Sequence, residues 1–497
     1  MVHAESRVTT MTGTTDKTCW TPAWLQQVTG GRWLPTKKGM STFLGAFSGA
    51  TLTGISIDSR AVKPGQVFLA VKGENFDGHD YAGKALQAGA AVAIIERIDA
   101  APQPDTPGSV LLVGNTVDAL HRLAAAYRQR LRESGCTVIA VVGSNGKTTT
   151  RHLIHAVLSS RFKGSQSPKS FNNHLGVPLT VLGAATDDRF VVAEVGTNHP
   201  GEIATLGKLL RPDAVVVTCI GHEHMEFFGD LHGVAEEEAS ISRFLSPKGV
   251  MFIESDAQPW IDKAESYQRP AGPIIFGFGK DGAEQQRELL GNRQRFAIGE
   301  SVDIDLPLLA PHDINNALAA VAVGRWMGMD GPAIKHALEN VRPMPGRLEV
   351  KRFGPVTVID DTYNANPDSM LAALNVLAGY PVPAGGRRVA VLADMLELGA
   401  LTEEAHRGVG RALVQMLDDG ILQHVSLVGP LMAAAAETIR QNAAITTMTH
   451  EPAPDDRAMK TIAGSIRPGD VVLCKGSRGL RLERLTPIIR DRFTQTG

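Results

Sequence analysis

Six residues, Gly143-Ser-Asn-Gly-Lys-Thr148, could do chemistry. They follow the apolar run Val138 to Val142 and open the segment Thr149 to Ile154, which reads as a helix. Strand, glycine turn, Lys-Thr and helix is the order a phosphate site needs. Glycines let backbone N–H groups approach phosphate oxygens, and the helix N-terminus contributes its positive end. In that reading Gly143, Ser144, Asn145, Gly146 and Thr149 form the cradle. Lys147 reaches the β- and γ-phosphates of ATP, and the Thr148 hydroxyl is a ligand for Mg²⁺. One feature departs from the full phosphate-loop pattern: Val141 stands where its first glycine belongs. A glycine turn opening an amphipathic helix is the alternative reading. Two other patterns carry less. "GFGKDG", Gly277 to Gly282, is a GxGxxG match late in the chain with charge in its turn, and is read as a surface turn. "GHEHMEFF" is not a zinc-protease helix, because Glu226 occupies the position of the second histidine.

The elements around the loop read as α/β. Apolar runs without strict alternation ("TVIAVVG", "RFVVAEVG", "DAVVVTCIG", "GVMFIES", "PIIFGFG") alternate with helical patterns. A parallel sheet covered on both faces has this signature. A second such series runs from "VTVIDD" through "RRVAVLADM" and "HVSLVG" to "DVVLCKGS". Before the loop, short strands ("GISIDSR", "GQVFLAVKG", "AAVAIIE") mix with the helical segments "YAGKALQAG" and "TVDALHRLAAAYRQRLRESG". The 497 residues suggest about three domains: 18–134, a central parallel-sheet ATPase of phosphate-loop type at 135–343, and a Rossmann-like α/β domain at 344–497.

Composition excludes several function classes. Fifty Lys and Arg against 52 Asp and Glu leave a formal charge of −2, which offers no nucleic-acid or membrane surface. The four cysteines, Cys19, Cys136, Cys219 and Cys474, are scattered, so neither a disulfide framework nor a zinc knuckle is indicated. The first 17 residues are polar and read as a disordered tail without a signal peptide. No apolar run reaches the ~18 residues of a membrane helix. A cytoplasmic monomer is the expectation.

The segments after the loop name a family. "GSNGKTTT", "SFNNHLGVPLTVL", "AEVGTNHPGEIA", "IGHEHMEFFGDL", "HDINNALAA", "GRLEV", "DDTYNANPDSM" and "LADMLELG" occur in that order, and together they resemble the Mur ligases of peptidoglycan synthesis. "YNANP" with "DMLELG" is most similar to members that add D-Ala-D-Ala to UDP-MurNAc-tripeptide. The N-terminal "ISIDSRAVKPGQVFLAVKGENFDGHDYAGKALQAGA" resembles their nucleotide-sugar domain.

The resemblance implies an ATP-dependent acid–amino-acid ligase acting through an acyl phosphate, with Lys147 and Mg²⁺ between two anions. It implies that Glu194 and His224 ligate metal, that Asn316 reads adenine, that Arg347 crosses a domain boundary to the ATP phosphates and that Asp361 accepts from ribose hydroxyls. Asn364 and Asn366 would shape the dipeptide pocket. Lys475 and Arg478 would hold a substrate carboxylate, Asn173 would line the substrate channel, and Ser59, Arg60 and Lys72 would take the UDP group. Each residue type has an ordinary structural use as well: strand-end acids, capping asparagines and solvated surface cations. One position departs from the family. Most Mur ligases carry a carbamylated lysine after the "HxExFG" segment, and here Glu238 of "GVAEEEASI" stands in its place. Glu238 is expected to supply the negative charge for a second metal directly. A solvated acidic helix face is the alternative. Two rival functions remain at this point: another amide ligase of the superfamily, of the diamino-acid-adding or folylpolyglutamate type, and a nucleotide-binding regulator without catalysis.

Overall fold

The computed structural model describes residues 20–35, 52–73, 76–270, 272–277, 288–290, 293–298, 302–442 and 448–494. The N-terminal tail and most of "GFGKDG" lie outside them. Three large sheets follow one another along the chain. In the first, the strands run in the order Arg32–Trp33, Ser109–Leu112, Val92–Ile95, Val67–Leu69, Ile55–Ser56, with only the first pair antiparallel. In the second the order is Ile274–Phe276, Val250–Glu254, Ala214–Val217, Thr137–Val142, Phe190–Glu194, Gly164–Gln166, and every pair is parallel. The third runs Glu349–Phe353, Val356–Asp361, Val471–Lys475, Arg388–Ala393, His424–Val428, Met448–Glu451 and is parallel after its first pair.

Burial on both faces explains the unbroken apolar runs. Along Thr137–Val142, Val138, Ala140 and Val142 enter one core, while Ile139 and Val141 enter another on the opposite face. The second core also takes Leu153, Ile154, Val157 and Leu158 from the helix Lys147–Ser159, together with apolar side chains of Asp313–Trp326. The loop at Gly143 is thus held between a fully buried strand and a docked helix. The third sheet repeats the scheme: Ile359, Ala390 and Leu473 pack on one face, Val358, Val391 and Cys474 on the other.

The first sheet is fixed to the second by the helix Thr116–Glu133. Its Tyr127 hydroxyl donates to the Ala184 carbonyl at 2.8 Å. Its buried Arg128 donates to the carbonyls of Leu210 and Arg211 and to Asp213 Oδ2 at 2.7 Å. Asp213 in turn accepts from the Val138 N–H, at the root of the loop strand. Elements not read from the sequence are the antiparallel sheet Glu288–Leu290, Arg293–Ile298, Val302–Leu306 and several short edge strands. Among the described residues no helix is long and apolar enough to cross a membrane.

Candidate functional site

The strand Thr137–Val142 lies between Phe190–Glu194 and Ala214–Val217, so the loop at its C-terminal end faces the neighbouring strand ends, the usual ligand edge of such a sheet. Two glycines are required by space and by backbone angle. Gly143 has φ +117°, and a Cβ there would lie 2.4 Å from Thr218 Oγ1. Gly146 has φ +81°, and its Cβ would lie 2.5 Å from Asn316 Oδ1. Gly146→Ala is therefore expected to cost about 1–3 kcal/mol in a melting experiment and to remove ADP binding in a titration.

The Lys147 ammonium bonds the Gly143 carbonyl, the Ser144 carbonyl at 3.1 Å and Glu223 Oε2 at 3.2 Å. Burial alone would lower its pKa. The carboxylates of Glu223, Glu238 and Glu194 outweigh burial and hold it above the usual lysine value. These neighbours favour the charged form of the side chain, which is tethered to the loop's own carbonyls. Thr148 Oγ1 donates to Glu194 Oε1 at 3.1 Å and accepts from Arg347 Nη2 at 2.9 Å. Glu194 is oriented further by Asn172 Nδ2 at 3.1 Å and Arg151 Nε at 3.2 Å.

These groups line a cavity of about 780 Å³ walled by the second and third sheets. Of the residues expected from sequence, it takes in Ser144 to Thr149, Asn173, Glu194, His224, Asn316, Arg347, Asp361, Asn364, Asn366, Lys475 and Arg478. The two halves touch directly: Asn366 Nδ2 donates to Asn145 Oδ1 at 2.9 Å, and Arg347 reaches Thr148 across 199 residues of sequence. Asn173 also accepts from the N–H groups of Leu175 and Gly176 at the start of the helix Gly176–Gly183.

Several residues are engaged differently from expectation. Asn316 is 6 % exposed and braces the loop: Oδ1 accepts from Thr150 Oγ1 at 3.0 Å, and Nδ2 donates to Asp313 at 3.3 Å. Lys475 is 2 % exposed and already committed, donating to Asp361 Oδ2 at 2.6 Å and to the Asn364 carbonyl at 3.0 Å. Parallel pairing puts Asp361 and Lys475 in register, which is why they meet. Arg478 stays largely exposed beside Glu483. Ser59, Arg60 and Lys72 are in the first sheet's domain and do not line this cavity. Arg60 is clamped to Asp58 by two bonds of 2.9–3.0 Å, and Lys72 pairs backbone to backbone with Asp77.

Glu238 departs furthest. It is fully buried and absent from the cavity wall. Its Oε2 accepts from the Gly143 N–H at 2.8 Å, so it supports the loop from behind. Burial, then the neighbouring Glu223 carboxyl, push its pKa well above the usual glutamate range. The acidic run is not a solvated face either. Glu237 caps the helix Glu202–Leu210 through the N–H groups of Gly201 and Ile203, and Glu236 accepts from Ser266 at 2.9 Å.

Sequence reasoning missed Glu223, Arg151, Asn172 and Tyr363. Glu223 was signalled by "GHEHME", where an acid sits between two histidines. Arg151 was signalled by its place one turn after Lys147 on the same helix.

The residue set suits a nucleotide with Mg²⁺. The loop runs through two glycines whose backbone angles favour no other residue, and Thr148 with Glu194 offers the hard oxygen donors Mg²⁺ prefers. Among the described residues no three His, Cys, Asp or Glu side chains converge as a ready cage.

Comparison with known proteins bears on the fold and on the nucleotide. The chain matches models of the Mur ligase family catalytic domain over residues 51–128, the Mur ligase middle domain over 141–324 and the Mur ligase glutamate ligase domain over 346–478. It is 35 % identical to the UDP-N-acetylmuramoyl-tripeptide–D-alanyl-D-alanine ligase of Bacillus subtilis, covering 87 % of this chain and 92 % of that one. The chain belongs to the Mur ligase family. The ligase of the same name from Escherichia coli is 36 % identical over 73 % of this chain and 79 % of its own. A crystal structure of MurF from Acinetobacter baumannii superposes with a TM-score of 0.79 at 31 % identity, covering 95 % of this Mur ligase and 99 % of that chain. MurF ligase from Thermotoga maritima in complex with ADP gives 0.72 at 27 % identity, over 89 % and 98 % of the two chains. The fold is thus that of the three-domain Mur ligases, and the enzyme is an ATP-dependent ligase of that family.

Proposed function

We propose that this Mur ligase joins the amine of D-Ala-D-Ala to the terminal carboxylate of UDP-MurNAc-tripeptide, with ATP as the energy source and Mg²⁺ as the ion. The observation that carries this reading is the shared cavity. The phosphate loop and the "YNANP" segment close on one space and touch through Asn145 and Asn366. The first domain is read as the holder of the UDP-sugar through Ser59, Arg60 and Lys72, the second as the ATP site and the third as the site of the amine.

The chemistry brings two anions together, the peptide carboxylate and the γ-phosphate, and cations must stand between them. Lys147 and Arg347 are the cations on this chain. Thr148 and Glu194, with His224 further along the wall, are the groups that would hold Mg²⁺, whose positive charge lowers the repulsion when it is bound. The carboxylate oxygen takes the γ-phosphoryl group and ADP leaves. The dipeptide nitrogen then bonds to the acyl carbon, phosphate departs, and the amine loses a proton to solvent or phosphate. An acyl phosphate must be kept from water, which the walls of the cavity would do only when substrates fill it. A monomer working in the cytoplasm, where such nucleotide-linked substrates are made, is part of the same reading.

A coupled assay of phosphate release with each candidate amine tests the assignment. Release is expected with UDP-MurNAc-tripeptide and D-Ala-D-Ala together and not with either alone. Release with a diamino acid and a UDP-MurNAc-dipeptide would move the chain to a sister activity, and no release with any pair would leave a nucleotide-binding regulator.

A further inference from the structure

Tyr363 lies between the strand Val356–Asp361 and the helix Pro367–Gly379, and its own N–H donates to the Gly346 carbonyl at 3.0 Å. The Arg347 guanidinium stacks over its ring, with Cζ 4.3 Å from the centroid. Its hydroxyl shares a hydrogen bond with Ser170 Oγ of the second domain. That segment is itself held, because Arg151 donates to the Lys169 carbonyl at 3.1 Å while also gripping Glu194. The contacts therefore close a ring: Thr148 to Glu194, to Arg151, to the backbone before Ser170, to Tyr363, to Arg347 and back to Thr148. The third domain enters this ring at only two residues, Arg347 and Tyr363. Among the described residues the buried Arg347 Nε has no hydrogen-bond partner, so the guanidinium is held by the Nη2 bond to Thr148 at one edge and by the Tyr363 ring beneath its face.

We propose that Tyr363 is a positioning residue that aims Arg347 at the nucleotide phosphates, its ring orienting the guanidinium. A planar guanidinium stacked on an aromatic face loses less freedom when it binds phosphate than a free one does. The inference rests on the ATP reading above, and it makes Tyr363 act through Arg347 rather than on substrate.

The test is a double-mutant cycle on the full chain, with Y363L, Y363F, R347A and Y363L/R347A. It is followed by ADP titration and by kinetics at varied ATP with the other substrates saturating. Y363L is expected to weaken ADP binding and kcat/KM for ATP by about tenfold, the scale of a half-buried cation–π contact. KM for the UDP substrate should stay within about twofold. Y363F keeps the ring and should stay within about threefold of the starting enzyme. In the R347A background, Y363L should add less than about twofold. A full tenfold loss from Y363L without Arg347, or a loss from Y363F equal to that of Y363L, would overturn the inference. If Y363L does not melt cooperatively, Y363M carries the same cycle. Failure of the starting enzyme to form the amide would count against the proposed function alone, because ADP titration still reads the coupling of Tyr363 to Arg347.

Discussion

Lys147→Ala is expected to remove ligation, lowering kcat/KM for ATP by at least about 10³-fold, the scale seen when a charge-stabilising group is taken from a phosphoryl-transfer site. The reason is positional as well as electrostatic. The ammonium is fixed at the loop by two of its carbonyls and Glu223, so in the proposed reaction its charge would meet the phosphate with little reorganisation. A second consequence follows from its neighbours. Lys147 is ion-paired with Glu223 at 3.2 Å, so removing the ammonium leaves that carboxylate without its cation, while Glu194 keeps Arg151. Breaking such a buried pair from one side costs about 3–5 kcal/mol. The melting temperature of Lys147→Ala should therefore fall at neutral pH. Lys147→Met, which keeps the stem, should be equally inactive. An alanine variant that still consumes ATP with both substrates would remove the basis of the proposed function.

What the sequence made legible was what is contiguous. The phosphate loop is six consecutive residues, and its strand and helix announce themselves by an apolar run and an amphipathic segment. The sheets were readable because strands buried on both faces are continuously apolar. The antiparallel sheet Glu288–Leu306 was missed for the opposite reason. "RQRFAI" and "VDIDL" alternate, so Phe296, Ile304 and Leu306 are buried while Arg295 and Asp305 pair across the outer face at 2.7 Å. An alternating polar strand resembles a loop unless its period is counted. Contacts made by distant segments were out of reach. Asp361 and Lys475 are 114 residues apart and meet only through strand register. That register places the expected substrate clamp in an ion pair at 2.6 Å on the cavity wall. Asn316 was read as a base-binding residue from its motif; its bonds to Thr150 and Asp313, made across 166 and three residues of sequence, were not part of that reading.

The acidic run shows how one residue's phase on a helix decides its chemistry, and it yields the other large prediction. On the helix Leu231–Ala239 consecutive glutamates point about 100° apart, so Glu236, Glu237 and Glu238 each address a different backbone. Glu238 is the one turned to the phosphate loop. If its role is to accept from the Gly143 N–H, an amide serves as well as a carboxyl, because Gln retains an acceptor oxygen and adds a donor toward Glu223. Glu238→Gln is then expected to keep activity within about threefold, whereas Glu238→Ala, which leaves that buried N–H unpaired, should cost about 1–3 kcal/mol of stability and lower ATP turnover at least about tenfold. The pH dependence separates this from a metal-bound carboxylate. A glutamate pushed up by burial binds its proton in the folded state while the unfolded chain releases it, so fewer protons are bound unfolded and stability falls as pH rises above the ordinary glutamate value. The loss continues until the folded-state pKa is passed. Glu238→Gln abolishes that term, so its melting temperature should decline less than the parent's between pH 5 and pH 8. A metal-bound carboxylate demands the reverse: Glu238→Gln would then lose activity at fixed Mg²⁺ by two orders of magnitude or more, and added Mg²⁺ would restore part of it.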